Sequence, residues 1–384
     1  MKFTVKYLSI VLFLSISVLC ISFGEQKAEW KGKIVIEDGV KIIENPGEPL
    51  YGEITFELEE DLSIGNDRDD NYLFYRVRDV AIDSKGNIFI ADMGNFRVQK
   101  FDQNGKYVLT IGREGQGPGE FERPTLVKIN ERNGNIYVRD TGMFIEIFDR
   151  EGNHIRQIRL SILLGVVLNF YILENENLLL KVLKTKDVGK ALEAYRSVAL
   201  VNPQGKLIRF IADYPFNIQW IRKGFGGVTG FETGLCFASL DLETYVIGFP
   251  EEYSFDITDK DGKTKYRIHK EESIPKYTSE EKSHEKKLPF PPEKPFYYDI
   301  LTDSEKRIYV QKNNTTGGGP TNDVDKQVDV FSKDGHFLYK SILPANTVLI
   351  RDGLLYAYVI DEEKGGEYIK RYIIKNWDQI KTGI

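Results

Sequence analysis

Short apolar runs recur along the chain, and each closes on a turn built from Gly, Asn or Asp. Residues 80–83 lead through Ser84-Lys85-Gly86-Asn87 into a second run, 88–91. Asp92-Met93-Gly94-Asn95 turns that into a third, 97–102, and Asn104-Gly105 turns the third into a fourth, 107–111. Asn-Gly and Gly-Asn pairs supply the positive φ of tight hairpins, and β-branched and aromatic residues fill the runs between them. The pattern predicts one four-stranded antiparallel sheet.

The unit repeats. Gly86-Asn87-Ile88-Phe89-Ile90-Ala91-Asp92 overlays Gly134-Asn135-Ile136-Tyr137-Val138-Arg139-Asp140 at a spacing of 48. Val98-Gln99-Lys100-Phe101-Asp102 likewise overlays Ile145-Glu146-Ile147-Phe148-Asp149. A period in the forties with four strands per unit marks a β-propeller blade. Degenerate copies follow at 198–205, 253–262, 307–335 and 352–372, with the third-strand turn glycine stepping by 53, 57 and 73 after Gly152. Six units leave the ring one strand short. Residues 53–62 alternate apolar and polar (Ile54, Phe56, Leu58), so this stretch is expected to pair beside 371–374 and close the ring. The fold class expected is all-β: a six-bladed β-propeller of four-stranded antiparallel blades, ring closed by an N-terminal strand. Helices are expected over 186–198 and, capped by Thr278-Ser279-Glu280-Glu281, inside an exposed insertion at 269–295. Gly317-Gly318-Gly319-Pro320 reads as a loop tip.

Composition supports this reading: of 384 residues only ten are Ala and 47 are aromatic, against the needs of a helical bundle. Residues 1–24 read as a secretory signal peptide, with Lys2 and Lys6 before an uncharged apolar run 7–21; an anchor or a lipidated Cys20 are the alternatives. Residues 25–52 would then be a lead segment and 53–384 the propeller, periplasmic or extracellular. Cleavage removes two lysines and no acid, taking the net charge from −6 to −8, and leaves Cys236 without a disulfide partner in the chain.

The string Asp92-x-Gly94-Asn95-x-Arg97-Val98-Gln99-x-Phe101-Asp102-x-x-Gly105 resembles the NHL repeat, and Gly115-Gln116-Gly117-Pro118-Gly119-Glu120-Phe121 resembles its link between blades. With Asn45-Pro46 in the lead segment, the chain resembles the bacterial exported six-bladed β-propeller family, most specifically over 77–160. The resemblance implies the fold. Within the broader NHL group it implies protein or RNA binding, and in a few propellers lyase or lactonase activity.

The chemistry of the chain is sparse. An acidic balance with no Lys/Arg-rich run excludes nucleic acid as the expected partner. The four histidines (His154, His269, His284, His336) do not fall at metal-ligand spacing, and no Gly-x-Ser-x-Gly elbow occurs. Asp259-Lys260-Asp261-Gly262 lacks the first and last ligands of a calcium loop, and the cluster Asp67, Asp69, Asp70 reads as a solvated loop. No cofactor and no metal site is expected, and Cys236 reads as a buried thiol. Asp92 and Arg97 are expected to pin the repeat. Aligning Asp83 with Asp303 sets Arg78-Asp79 opposite Tyr298-Asp299 at the start of inner strands. Together with Arg139, these five are the candidate ligand contacts at the channel mouth. The expected function is a non-catalytic scaffold for a protein, peptide or glycan partner, touching membrane only through an uncleaved or lipidated N-terminus. The alternative is a metal-assisted lactonase or lyase working in the channel.

Overall fold

The structure, a computed structural model, describes residues 28–65, 68–140, 143–161, 164–188, 191–216, 235–277, 279, 293–312, 325–361 and 366–384. The expectations placed on the leader with Cys20, on Asp67, on His284 with most of the 269–295 insertion, and on the glycine tip at 317–320 lie outside them.

The chain opens with a hairpin, β1 (Lys33–Glu37) and β2 (Val40–Asn45), turned at Asp38-Gly39 where both residues take positive φ. After β3 (Leu58–Ile64) come the blades in order. Blade one is β4 (Val77–Ile82), β5 (Ile88–Asp92), β6 (Arg97–Phe101) and β7 (Tyr107–Ile111). Blade two is β8 (Leu126–Ile129), β9 (Ile136–Arg139), β10 (Phe144–Phe148) and β11 (His154–Arg159). Blade three is β12 (Val166–Ile172), β13 (Leu178–Val188), β14 (Ala191–Val201) and β15 (Leu207–Phe216). Blade four is β16 (Cys236–Ser239), β17 (Thr244–Gly248), β18 (Ser254–Asp259) and β19 (Thr264–Lys270). Blade five is β20 (Tyr297–Thr302), β21 (Ile308–Lys312), β22 (Lys326–Phe331) and β23 (Phe337–Leu343). Blade six is β24 (Thr347–Arg351), β25 (Leu354–Asp361) and β26 (Gly366–Ile374), completed by β3, which pairs antiparallel with β26 from Leu58↔Ile374 to Ile64↔Ile369. The N-terminal strand thus closes the ring beside 371–374 as expected, although it runs from 58 to 64 rather than over 53–62.

Second strands are apolar on both faces because each blade is packed on both sides. In β5, Ile88 and Ile90 join a core with blade six (Tyr356, Ile369), whereas Phe89 and Ala91 face blade two (Ile136, Val138). Four further clusters, each drawn from two neighbouring blades, continue the circuit. The third-strand turn has a second role. Gly105 sits at φ 77°, and a Cβ there would come 2.7 Å from Leu62 of the preceding blade. Gly152 stands in the same relation to Leu109 at 3.0 Å. The Asp ahead of each glycine folds the turn: Asp102 Oδ1 accepts the Asn104 and Lys106 amides, as Asp149 does from Glu151 and Asn153.

Two features depart from the sequence reading. Residues 186–188 and 191–198 are strand rather than helix: β13 and β14 pair from Leu178↔Val201 to Val188↔Ala191, and β15 pairs along the other side of β14 from Ala194 onward. The cross-strand ladder overrides the local helix preference of Ala, Leu and Glu. Blade four, moreover, is a six-stranded sheet, with β2 lying parallel to β19 and β1 outside it. The lead segment then continues as a belt. Asn45, buried, donates to the Gly335 carbonyl at 2.8 Å and accepts the Phe337 amide at 2.8 Å. Leu50 and Tyr51 bond the carbonyls of Phe337 and Leu338 on the outer edge of blade five, and Asn376 receives Glu57 on blade six.

Candidate ligand site at the channel mouth

All six inner strands contribute to one cavity of about 640 Å³, the channel: Asp79 from β4, Lys128 from β8, Tyr171 from β12, Phe237 from β16, Asp299 from β20 and Leu349 from β24 are among its lining. The strands run in one direction, so their first residues form one mouth and their last residues the other. Inside the channel and where the inner strands end, the charges are matched. Asp79 accepts the Lys128 ammonium at 2.8 Å and the Val127 amide at 3.0 Å, tying blade one to blade two. Lys306 pairs with Asp241 at 2.8 Å and Arg351 with Glu131 at 3.0 Å.

The mouth where the strands begin is different. A cavity of about 1190 Å³ spreads over blades one to three and is entered by four arginines, Arg76, Arg78, Arg123 and Arg139. None of the four is in an ion pair among the described residues. The acids near them are occupied by loop amides. Asp92, at the end of β5, accepts the Tyr75 amide at 2.9 Å together with Arg97 and Asn95. Its repeat equivalent Asp140 accepts the amides of Glu122 and Arg123 at 2.9 and 2.5 Å. Glu367 of blade six takes those of Arg76 and Val77, both at 2.8 Å. Arg139 donates from Nη1 to Thr125 Oγ1 at 2.7 Å, while its buried Nε has no partner among the described residues. Burial pushes this guanidinium below its ordinary pKa, with Asp140 opposing.

A shared irregularity aims the inner-strand side chains. The ladders from β4, β12, β20 and β24 to their second strands all slip by one residue near the start, at Arg78, Leu168, Tyr298 and Val348. Such a bulge leaves one residue out of the ladder and turns its side chain. Arg78 and Leu168 line the large cavity; Tyr298 and Val348 line a smaller one of about 240 Å³ between blades five and six.

The five sequence-predicted residues are therefore divided. Arg78 and Arg139 meet in the large cavity, and Asp79 and Asp299 face the channel. Tyr298 lines the smaller cavity, which Asp299 also reaches; the Tyr298 hydroxyl is buried without a partner. Burial raises the Asp299 carboxyl, partly opposed by Lys181. Cys236 is buried and its thiol is pushed up to about 12 by burial. His154 lies 2.7 Å from Glu146, and His336, held below its ordinary range by burial, stands edge-on to Trp30. Among the described residues, no three His, Cys, Asp or Glu gather as a metal-binding group. Sequence reasoning missed Arg76 and Arg123. The same overlay at 48 sets Arg123 on Tyr75, and their amides do bond equivalent aspartates.

The fold defines the class, a six-bladed β-propeller. The family model DUF5128, described as a 6-bladed beta-propeller, matches residues 68–209, from the approach to blade one into the last strand of blade three. A candidate exported protein of Bacteroides fragilis superposes with TM-score 0.53 at 13% identity, over 87% of this chain and 99% of that one. A duf4221 family member of Bacteroides vulgatus superposes with TM-score 0.51, also at 13% identity, over 83% and 98%. In sequence, the chain is 34% identical over 92 residues to "Probable peptidyl-alpha-hydroxyglycine alpha-amidating lyase pgal-1" of Caenorhabditis elegans, an alignment spanning 22% of this chain and 26% of the lyase. It is 29% identical over 86 residues to Protein brain tumor of Drosophila melanogaster, of which 8% is covered. The alignments thus span about a quarter or less of these relatives' own lengths.

Proposed function

We propose that this chain is an exported binding protein, a rigid ring that holds a protein, peptide or glycan partner at the mouth where its inner strands begin. One observation carries the reading. Arg78 and Arg139 converge in one large cavity at that mouth, bonded to no carboxylate among the described residues, while the cations at the opposite mouth are matched by acids. Arg139 is half-buried and Arg78 stands exposed beside it, so one cation is partly desolvated without a counter-charge and the other is free to reach a ligand. The leader-like residues 1–24 and the similarity in fold to a candidate exported protein support export. The test is capture from the envelope and secreted fractions of the source cell on immobilised chain, in parallel with an Arg78→Ala/Arg139→Ala chain. A partner retained by the first and lost by the second supports the reading; identical retention by both overturns it.

The local similarity to an amidating lyase favours a second reading, a metal-assisted lyase or lactonase using the acids of the channel. Stoichiometric calcium or zinc in purified protein, with turnover of a small substrate abolished by Asp299→Asn, would establish it in place of the first.

A further inference from the structure

The mouth cavity specifies the chemistry of its ligand. It brings four guanidinium groups together on a chain whose net charge is −6, against two side-chain acids in its wall, Glu114 and Glu122. Glu122 is already engaged by Gln116 Nε2 at 2.5 Å. Guanidinium forks match planar carboxylates through paired N–H donors, and the partnerless buried Nε of Arg139 is such a donor lacking its acceptor. At about 1190 Å³ the cavity exceeds the roughly 300–1,000 Å³ that a small molecule fills. The ligand is therefore a chain with more than one anionic group.

The rest of the wall separates peptide from sugar. Sugars prefer broad open aromatic platforms; here Phe121 is fully buried, Phe96 is half-buried, and the exposed Tyr75 ring carries Arg76 over it at 5.1 Å, which leaves little free face. What remains is Met93, Leu126, Val166 and Leu168, side chains suited to aliphatic and thioether packing, with Phe96 on a left-handed turn at φ 56° beside them. Resting on the binding reading above, we propose that the cavity formed by Arg76, Arg78, Arg123 and Arg139 is a receptor site for an acidic peptide segment. Its carboxylates sit on the arginines and its apolar side chains on Met93, Val166 and Leu168.

A displayed library of random twelve-residue peptides, panned on the full chain, tests this. Enrichment of sequences rich in Asp and Glu is expected. A synthetic peptide of the enriched sequence, followed by fluorescence anisotropy, should bind about tenfold more weakly to Arg78→Gln and to Arg139→Gln, and more weakly still to the double variant. It should bind unchanged to Lys306→Ala at the opposite mouth. Thermal melting separates loss of the site from loss of the fold, and the Gln version of the peptide, which keeps shape without charge, should not bind. Enrichment without acidic bias, or selective retention of an acidic polysaccharide such as polygalacturonate, overturns the ligand class and leaves the binding reading standing. Retention of no peptide and no polysaccharide overturns both.

Discussion

The two mouths of the channel are built from the same six strands and treat charge in opposite ways. Where the inner strands end, Lys306 and Arg351 each face a carboxylate within about 3 Å, as Lys128 does inside the channel, so the charges serve the ring itself. Where they begin, Asp140 and Glu367 each hold two loop amides, Asp92 holds one together with Arg97, and Arg76, Arg78, Arg123 and Arg139 are left over. A carboxylate engaged by two backbone amides, or by an amide and its own arginine, is poorly placed to neutralise a further guanidinium. The contrast teaches that repeat maintenance and ligand capture draw on the same few acids, and that assigning the acids to the backbone is what frees the cations.

The sharpest way to break the contrast is at the matched end. Asp303 and Arg307 form a buried pair at 2.7 Å, with Arg307 also stacked on Trp377 and bonded to the Ile380 carbonyl. Arg307→Met leaves Asp303 charged and buried, and should cost about 3–5 kcal/mol in denaturant unfolding. At the arginine mouth, Asp140→Ala strands the amides of Glu122 and Arg123; it should cost about 2–3 kcal/mol and weaken ligand binding as the Arg123 loop loosens. Lys128→Ala, by contrast, removes a half-exposed pair whose acid keeps the Val127 amide, and should cost less than about 1 kcal/mol in the same assay.

The smallest effect is a pH dependence. The Asp299 carboxyl is raised in the folded state, so between its unfolded and folded pKa values the native state holds the extra proton. Its stabilising contribution is present below the unfolded value and is lost as pH rises through the folded one. Asp299→Asn should therefore unfold at higher urea than the wild type at pH 7, and the gap should close below about pH 3.9. A gap that widened on acidification would contradict the assignment.

Much of this was legible in the residues. Turn chemistry at Asp102-x-x-Gly105 and its copies is local, so it marks blades one to five; the closing strand, expected at 53–62 from alternation and a ring one strand short, runs at 58–64. The helix expected at 186–198 failed because a stretch paired in a long hairpin, and flanked by a third strand from Ala194 on, obeys its neighbours rather than its own propensity. The β1–β2 hairpin had its signal in Asp38-Gly39 between alternating residues, which passed unread. Of the mouth, Arg78 and Arg139 were found and Arg76 and Arg123 were not. Their role depends on which acids are already engaged, and a linear pattern does not show hydrogen-bond partners. The bulges that divide Arg78 from Asp79, and Tyr298 from Asp299, are likewise properties of register between strands.

The strand that completes blade six is made first and used last. Glu60 meets Lys370 across 310 positions of sequence, so β3 stays without its neighbour until nearly the whole chain is available. The belt at 45–54 waits similarly for blade five. Contacts of such separation are slow to form, and until they do the edges of β23 and β26 lie open to pairing with other chains. A chain ending at Asp361 would lose β26 entirely, and β3 would be left with nothing to join. Such a chain should behave less like a five-and-a-half-bladed ring than like an adhesive one.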